Sequence, residues 1–237
     1  MKTYLILGGN GIIANYYIEH YIDLNESKVI VVDLLDSNIQ FNNCYYFNFD
    51  ASNPDGYSEL LYFLKNEEIT IDNVLFSIGI NYQNSFFTSK IEEFNKTLTT
   101  NLSSFFISIK KIYSYLSSKA SIVALSSQNG IVGHEDRIDY GPSKAALIQI
   151  TKNLTVDFAN AGLKGIRFNA VSPGYVETSI NKELLQLPKF KKLLKRNPYA
   201  SQTSLDEVCG TISFLFSASS SAIRGQNLVV DYGYTIT

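Results

Sequence analysis

The amino-acid sequence predicts an α/β fold: a doubly wound parallel sheet of about seven strands with helices on both faces. Three observations predict it. Short apolar runs rich in Val, Ile and Phe recur along the chain, segments of helical period separate most of them, and a glycine-rich turn directly follows the first run. Strands buried on both faces read as continuous apolar runs, and repeated β-α alternation places helices over such a sheet.

In chain order the strands are read at Tyr4–Leu7, Val29–Val32, Tyr45–Phe49, Val74–Ile78, Ile122–Leu125, Ile166–Val171 and Leu228–Val230. After Asn101, the residues Leu102, Phe105, Phe106, Ile109, Ile112, Tyr113 and Leu116 recur at three- and four-residue steps, which predicts a helix with one core-facing stripe. From about Tyr140 to Ala161 a second helix carries Ala145, Leu147, Ile148, Ile150, Leu154, Val156 and Phe158 around most of its circumference. More than one face then needs cover, either inside the monomer or against another copy. No internal repeat and no linker divides the 237 residues, so residues 1–237 are read as one domain.

Composition excludes several classes of function. Lys and Arg total 20 against 22 for Asp and Glu, so no global positive field recommends a nucleic acid or an anionic membrane as partner. Only Cys44 and Cys209 occur, far apart, which supports neither a disulfide framework nor a metal site. The apolar start is cut by Gly8 and Gly9 too early for a signal-peptide core, and no run approaches the ~18 apolar residues of a membrane helix. A cytoplasmic protein is expected.

Gly8-Gly9-Asn10-Gly11-Ile12-Ile13-Ala14 follows the first strand and contains G-x-G-x-x-A at Gly9, Gly11 and Ala14. Strand, turn and helix stand in the order that lets backbone N–H groups approach a pyrophosphate at a helix N-terminus, the Rossmann-like arrangement. Asp33 ends the second strand about 20 residues on, where a carboxylate accepts from an adenosine ribose. It would repel a 2'-phosphate, and no Lys or Arg lies in Leu34-Leu35-Asp36-Ser37-Asn38 to offset it. NAD(H) is therefore preferred over NADP(H).

Tyr140-Gly141-Pro142-Ser143-Lys144 opens the second helix and sets a phenol and an ammonium one turn apart on one face. A tyrosine of pKa near 10 is a poor base, but an ammonium about 5 Å away contributes roughly 3 kcal/mol, which predicts a pKa lowered by about two units. Ser126-Ser127 ends the strand Ile122–Leu125, and open α/β sheets bind ligands at such carboxyl ends. Ser127 is placed to hydrogen-bond a substrate oxygen while Tyr140 gives or takes its proton; Ser126 is read as structural.

Several segments, agreeing in order and spacing over essentially the whole chain, resemble the short-chain dehydrogenase/reductase family in its compact branch. They are Leu125-Ser126-Ser127-Gln128-Asn129-Gly130, Tyr140-Gly-Pro-Ser-Lys144, Thr100-Asn101-Leu102, the run Arg167 to Thr178 with Pro173-Gly174, and Gly225-Gln226 through Asp231-Tyr-Gly233. The resemblance implies a catalytic tetrad of Asn101, Ser127, Tyr140 and Lys144. It also implies cofactor contacts from Gly8, Asn10, Gly11 and Ile12, from Asp50 and Ala51 at the adenine, and from Gly79. At the nicotinamide end it implies Tyr140, Lys144, Pro173, Gly174, Val176 and Thr178, with Lys144 on the ribose. A substrate lid is implied at about 179–200, and a homo-oligomer, tetramer or dimer. Hydride would pass between NAD(H) and a carbinol carbon.

Two departures from the family pattern stand out. The usual T-G-x-x-x-G-x-G is here Leu7-Gly8-Gly9-Asn10-Gly11, one residue tighter, and the usual N-N-A-G is Phe76-Ser77-Ile78-Gly79. They predict an adenosine ribose held differently, and they keep two rivals open: a dinucleotide-binding sensor without turnover, and a nucleotide-sugar epimerase or dehydratase. The intact tetrad argues against the first; the second branch usually carries a longer substrate region than the residues up to Thr237 provide.

His134-Glu135-Asp136-Arg137 and Asn81-Tyr82-Gln83-Asn84 are expected to border a polar substrate pocket. His134 is read as a loop residue first and a substrate contact second. Lys182, Lys189, Lys191, Lys192, Lys195 and Arg196 against Glu183 give the lid a basic excess, either a solvated helix face or an attractor of an anionic group. The expected small-molecule substrate is polar, anionic or sugar-like, such as a sugar derivative, a hydroxy acid or a nucleotide-linked sugar, and no metal is called for.

Overall fold

A computed structural model describes residues 1–36, 41–177 and 193–237. Seven strands form one parallel sheet in the order β3-β2-β1-β4-β5-β6-β7: β1 Lys2–Leu7, β2 Ser27–Asp33, β3 Cys44–Asn48, β4 Ile71–Phe76, β5 Leu116–Leu125, β6 Arg167–Pro173 and β7 Asn227–Val230. β1 pairs with β2 on one side and β4 on the other, so the strand order reverses between β1 and β4. The crevice at their carboxyl ends is where open α/β sheets take ligands.

Alternate residues of each strand point to opposite faces, and both faces are apolar. Leu5, Leu7, Val74, Phe76, Ile122 and Ala124 pack against Leu60 and Leu64 of helix α2 (Ser58–Asn66), Phe105, Ile109 and Ile112 of α4 (Ser104–Ile112) and Leu147 of α5 (Tyr140–Asn160). On the other face Tyr4, Ile6, Val31, Leu75 and Val123 meet Ala14, Tyr17 and Ile18 of α1 (Ile12–Tyr21). Val208, Ile212 and Leu215 of the helix Leu205–Phe216, which we number α6, complete that layer. Each fully buried Leu, Ile or Phe is worth about 1.5–3 kcal/mol, so these two layers fix the register that brings the strand ends together.

The strands run longer than their apolar stretches. β4 begins with Ile71-Asp72-Asn73, where the Asp72 carboxylate accepts from Thr3 N at 3.0 Å, and β5 begins with the polar Ser117, Ser118 and Lys119, so hydropathy alone does not mark either start. The helix predicted after Asn101 is corrected at both ends. α3 already runs over Ile91–Leu98, a π-helical turn over Thr99–Ser103 joins it to α4, and α4 stops at Ile112; Leu116 opens β5 and Tyr113 is exposed. Within α4 the buried stripe is Phe105, Ile109 and Ile112, and Phe106, predicted inward, lies one residue (about 100°) off it and is 51% exposed. Among the described residues Cys44 and Cys209 are free, and no helix is long and apolar enough to cross a membrane.

Candidate active site

The glycine turn leaves β1 with its first two amides bonded to β2: Gly8 N donates to Val32 O at 2.8 Å and Gly9 N to the same oxygen at 3.3 Å. Gly8 has φ +82°, and a Cβ there would lie 2.8 Å from Ile78 N, so the tight turn rests directly on the backbone after β4. Only glycine meets both conditions. Gly11 precedes α1 as its N-cap with no side-chain cap, and the first turn of α1 holds no acidic residue. Its amides are therefore not satisfied by a side-chain cap, the condition under which a helix N-terminus takes a phosphate.

Asp33 does two things at the end of β2. Its Oδ2 accepts from Asn10 N at 2.9 Å, which braces the turn, while the carboxylate lines a cavity of about 320 Å³. Gly8, Asn10, Gly11, Asp50, Ala51, Ser77 and Gly79 line the same cavity, as do Lys96 and Thr100. Asp50 Oδ1 accepts from Ser52 N and Oγ, and Lys96 stands 3.7 Å from Oδ2; the Ser52 hydroxyl is the largest influence on this carboxyl, and with the Ser52 amide and Lys96 it outweighs burial and holds the group below its usual range. The Lys96 contact is invisible in sequence because 46 positions separate it from its partner.

A second cavity of about 430 Å³ shares Gly11, Ser77, Gly79 and Ile80 with the first and continues past Ile12, Ser127, Tyr140 and Lys144 to Pro173, Gly174 and Val176. Together they form a trough from the end of β2 to the end of β6. The uncapped helix start, the glycine turn and a second close approach at Gly79 fit an extended dinucleotide. A Cβ at Gly79 would lie 3.1 Å from Lys144 Nζ and 3.6 Å from Asn101 Oδ1.

Ser127 and Tyr140 line the second cavity together, and the Ser127 hydroxyl acts to lower the pKa of the Tyr140 phenol. Lys144 is 3% exposed; its Nζ donates to Leu125 O at 2.8 Å and lies 5.7 Å from the centre of the Tyr140 ring. Ser126 turns away and donates to Lys144 O at 2.8 Å, pinning α5 to the end of β5. Asn101, in the π turn, is fully buried and lines neither cavity. Its Oδ1 accepts from Ile80 N at 2.8 Å, and its Nδ2 donates to Ile80 O and to Ser143 Oγ. It thus positions the backbone that carries Gly79. Ile80 and Leu125 contribute only main-chain atoms, so no side-chain pattern pointed to them.

The expected lowering of the Tyr140 pKa is corrected in the free protein. Burial pushes the phenol above its ordinary value, and the Ser127 hydroxyl and the Arg137 charge only partly offset this. Burial also pushes Lys144 down to about 8. The simple pair argument counted the attraction between phenolate and ammonium and omitted the cost of desolvating both.

Thr178, most of the lid at 179–200, and Lys182, Lys189, Lys191 and Lys192 lie outside the described residues. Lys195 and Arg196 are described, and Arg196 pairs with Glu135 through Nη2–Oε1 at 2.7 Å and Nη1–Oε2 at 3.2 Å. This contact ties the end of the lid segment to the loop before α5. His134, read as a loop residue, is hydrogen-bonded: Nε2 shares a proton with Tyr175 OH at 2.6 Å. Asn81 and Arg137 border the reaction cavity, and Gln128, Asn129 and Tyr175 join them. Among the described residues no cluster of His, Cys, Asp and Glu is grouped to hold a metal.

With this geometry in hand, comparison with known proteins gives consistent matches. A family model described as enoyl-(acyl carrier protein) reductase matches residues 21–235. The 3-oxoacyl-(acyl-carrier-protein) reductase FabG of Buchnera aphidicola subsp. Schizaphis graminum is 29% identical over 197 residues, covering 82% of this chain and 79% of its own. The L-rhamnose 1-dehydrogenase (NAD(P)(+)) of Azotobacter vinelandii is 30% identical over 188 residues, 78% of this chain and 72% of its own. A short chain dehydrogenase family protein from Francisella tularensis superposes with a TM-score of 0.87 at 27% identity, covering 100% of both chains.

Proposed function

The chain belongs to the short-chain dehydrogenase/reductase family, and on that premise we propose that it transfers hydride between NAD(H) and a secondary alcohol or carbonyl group of a polar small molecule, with Tyr140 as acid/base. As a member it is an oxidoreductase acting on alcohol or carbonyl groups with a nicotinamide dinucleotide. The observation that carries the finer reading is the grouping of Ser127, Tyr140 and a buried Lys144, its Nζ 5.7 Å from the centre of the Tyr140 ring, in the cavity that continues from the glycine turn.

Gly8, Asn10, Gly11 and Ile12 would hold the pyrophosphate, Asp33 the adenosine ribose, Asp50 and Ala51 the adenine, and Gly79, Pro173, Gly174 and Val176 the nicotinamide end; Thr178 is proposed there from the family pattern alone. A dinucleotide held by these residues would supply the two-electron chemistry of hydride transfer. Ser127 and Tyr140 hydrogen-bond the reacting oxygen; Tyr140 takes its proton in oxidation and gives one in reduction. Lys144, fixed by Leu125 O, retains N–H donors for the ribose and keeps a positive charge beside the phenol. Asn101 keeps Ile80, and through it Gly79, against Lys144. All of this is proposed within one domain of residues 1–237, the segment at 179–200 acting as lid.

The Asp33 carboxylate in the cavity wall argues for NAD(H). NADH formation from a panel of polyols, sugars and hydroxy acids is expected, with kcat/KM for NAD⁺ at least about tenfold above that for NADP⁺, the equivalent of about 1.4 kcal/mol of repulsion. Asp33→Ala combined with Asp36→Ala should narrow that ratio. An unchanged ratio, or preference for NADP⁺ in the wild type, would contradict the assignment.

A homo-oligomer, dimer or tetramer, is proposed as the working state. Leu102, Phe106, Ile107 and Ile150 line an apolar groove between α4 and α5, on the face the monomer leaves uncovered. Light scattering should return a multiple of 26.6 kDa; a monomer at micromolar concentration would remove this part of the proposal.

A further inference from the structure

Arg137 stands three residues before Tyr140, and its carbonyl accepts from Gly141 N at 2.9 Å, so its backbone is fixed by the first turn of α5. Its side chain lines the reaction cavity and the cleft that opens beside it. Nη1 donates to the Asp136 carbonyl at 2.6 Å, but Nε is buried with no hydrogen-bond partner. Among the described residues no carboxylate pairs with it. Glu135 is taken by Arg196, and Asp139 accepts from Thr97 through Oδ2 at 2.6 Å while its Oδ1 is buried without a partner. Arg137, Tyr140 and Tyr175 line the same cavity, and the Arg137 charge acts to lower the pKa of both phenols.

The same cavity holds two further unsatisfied atoms. Gln128 and Asn129 each bury an amide oxygen with no donor. Buried polar atoms are nearly always paired in folded proteins, and a guanidinium is a fixed fork whose geometry matches a carboxylate. A cationic fork and two orphan acceptors carried by residues of one cavity wall are the complement of a molecule with a carboxylate and hydroxyl groups.

We propose that Arg137 binds the carboxylate of the substrate, which is a hydroxy acid whose carbinol lies at Ser127 and Tyr140 and whose further hydroxyl groups donate to Gln128 and Asn129. The inference rests on the dehydrogenase reading and deepens it: the anionic group is met by an arginine of the cavity wall, independently of the lysines of the lid.

The test is calorimetric titration with acetate, malonate and succinate, none of which carries a carbinol to react, and with their neutral amides, on the protein with and without NAD⁺. At least one carboxylate should bind the wild type saturably and at least about tenfold more tightly than its amide. Arg137→Gln should lose that carboxylate affinity by at least about tenfold without changing amide binding. Arg137→Lys, which keeps the charge but not the fork, should fall between them. A melting temperature close to the wild type checks that each variant folds. Equal carboxylate affinity in wild type and Arg137→Gln, equal binding of acid and amide, or no binding of any carboxylate overturns the proposal. Failure to bind NAD⁺ or to oxidise any alcohol would instead sink the dehydrogenase reading, and the titration without NAD⁺ reads Arg137 independently of that result.

Discussion

Replacing Tyr140 by phenylalanine is expected to lower kcat/KM for alcohol oxidation and carbonyl reduction by about 10³-fold, with little change in cofactor affinity or melting temperature. The substitution removes one oxygen and leaves the ring in place over α5. Ser127 then keeps its backbone partner, since its Oγ accepts from Asn129 N at 3.2 Å, but faces the cavity without a proton-transfer group. In the free protein the phenol is held protonated at neutral pH, because burial outweighs the Ser127 hydroxyl and the Arg137 charge. That is the form needed to give a proton to a carbonyl oxygen. Absorbance at 295 nm, as the difference between wild type and Tyr140→Phe without cofactor, should therefore stay flat up to about pH 10. A difference midpoint below pH 10 would show that burial is not the controlling influence. Activity retained within about tenfold in Tyr140→Phe would remove the phenol from the mechanism.

The sheet was legible because its central strands are buried on both faces. Leu5-Ile6-Leu7 and Val74-Leu75-Phe76 carry no polar residue to obscure them. The candidate site was legible where a single residue type is demanded by chemistry or backbone: Gly8 at positive φ, Asp33 beside the turn, the Tyr140–Lys144 pair at one helical turn. What was not legible is whatever depends on distance in space. The π turn at Thr99–Ser103 is set by Asn101 holding Ile80, a main-chain partner that any residue provides. His134, Glu135, Asp136 and Arg137 read alike as the border of the pocket; only the structure shows that Arg137 alone of the four lines the reaction cavity and keeps an unpaired Nε. The tighter glycine turn, read as a departure that changes how the adenosine ribose is held, packs against Ser77 and Ile78, so the two departures from the family pattern meet in space.

Lys144→Met is expected to separate activity from stability. Nζ loses its bond to Leu125 O and the charge beside Tyr140 disappears, so turnover should fall by at least about 10²-fold. The effect on folding runs the other way. Lys144 has its pKa pushed from the ordinary 10.5 down to about 8 by burial, so between those values the unfolded chain binds more protons than the folded one. Its contribution to stability is therefore fully present above about pH 10.5 and is lost as the pH falls to about 8, a difference of about 3 kcal/mol. At pH 7 the folded protein carries the whole cost of a buried ammonium, offset by the Leu125 bond, which is worth about 1.5–3 kcal/mol as a bond to a charged group. Methionine fills a similar volume without that cost. The melting temperature of the variant relative to the wild type should be highest at pH 7 and fall steadily toward pH 10, while the activity loss persists throughout. A melting difference independent of pH would mean that Lys144 reaches water in the folded protein, and the buried ammonium would then no longer account for how the phenol and the cofactor ribose are brought to one side chain.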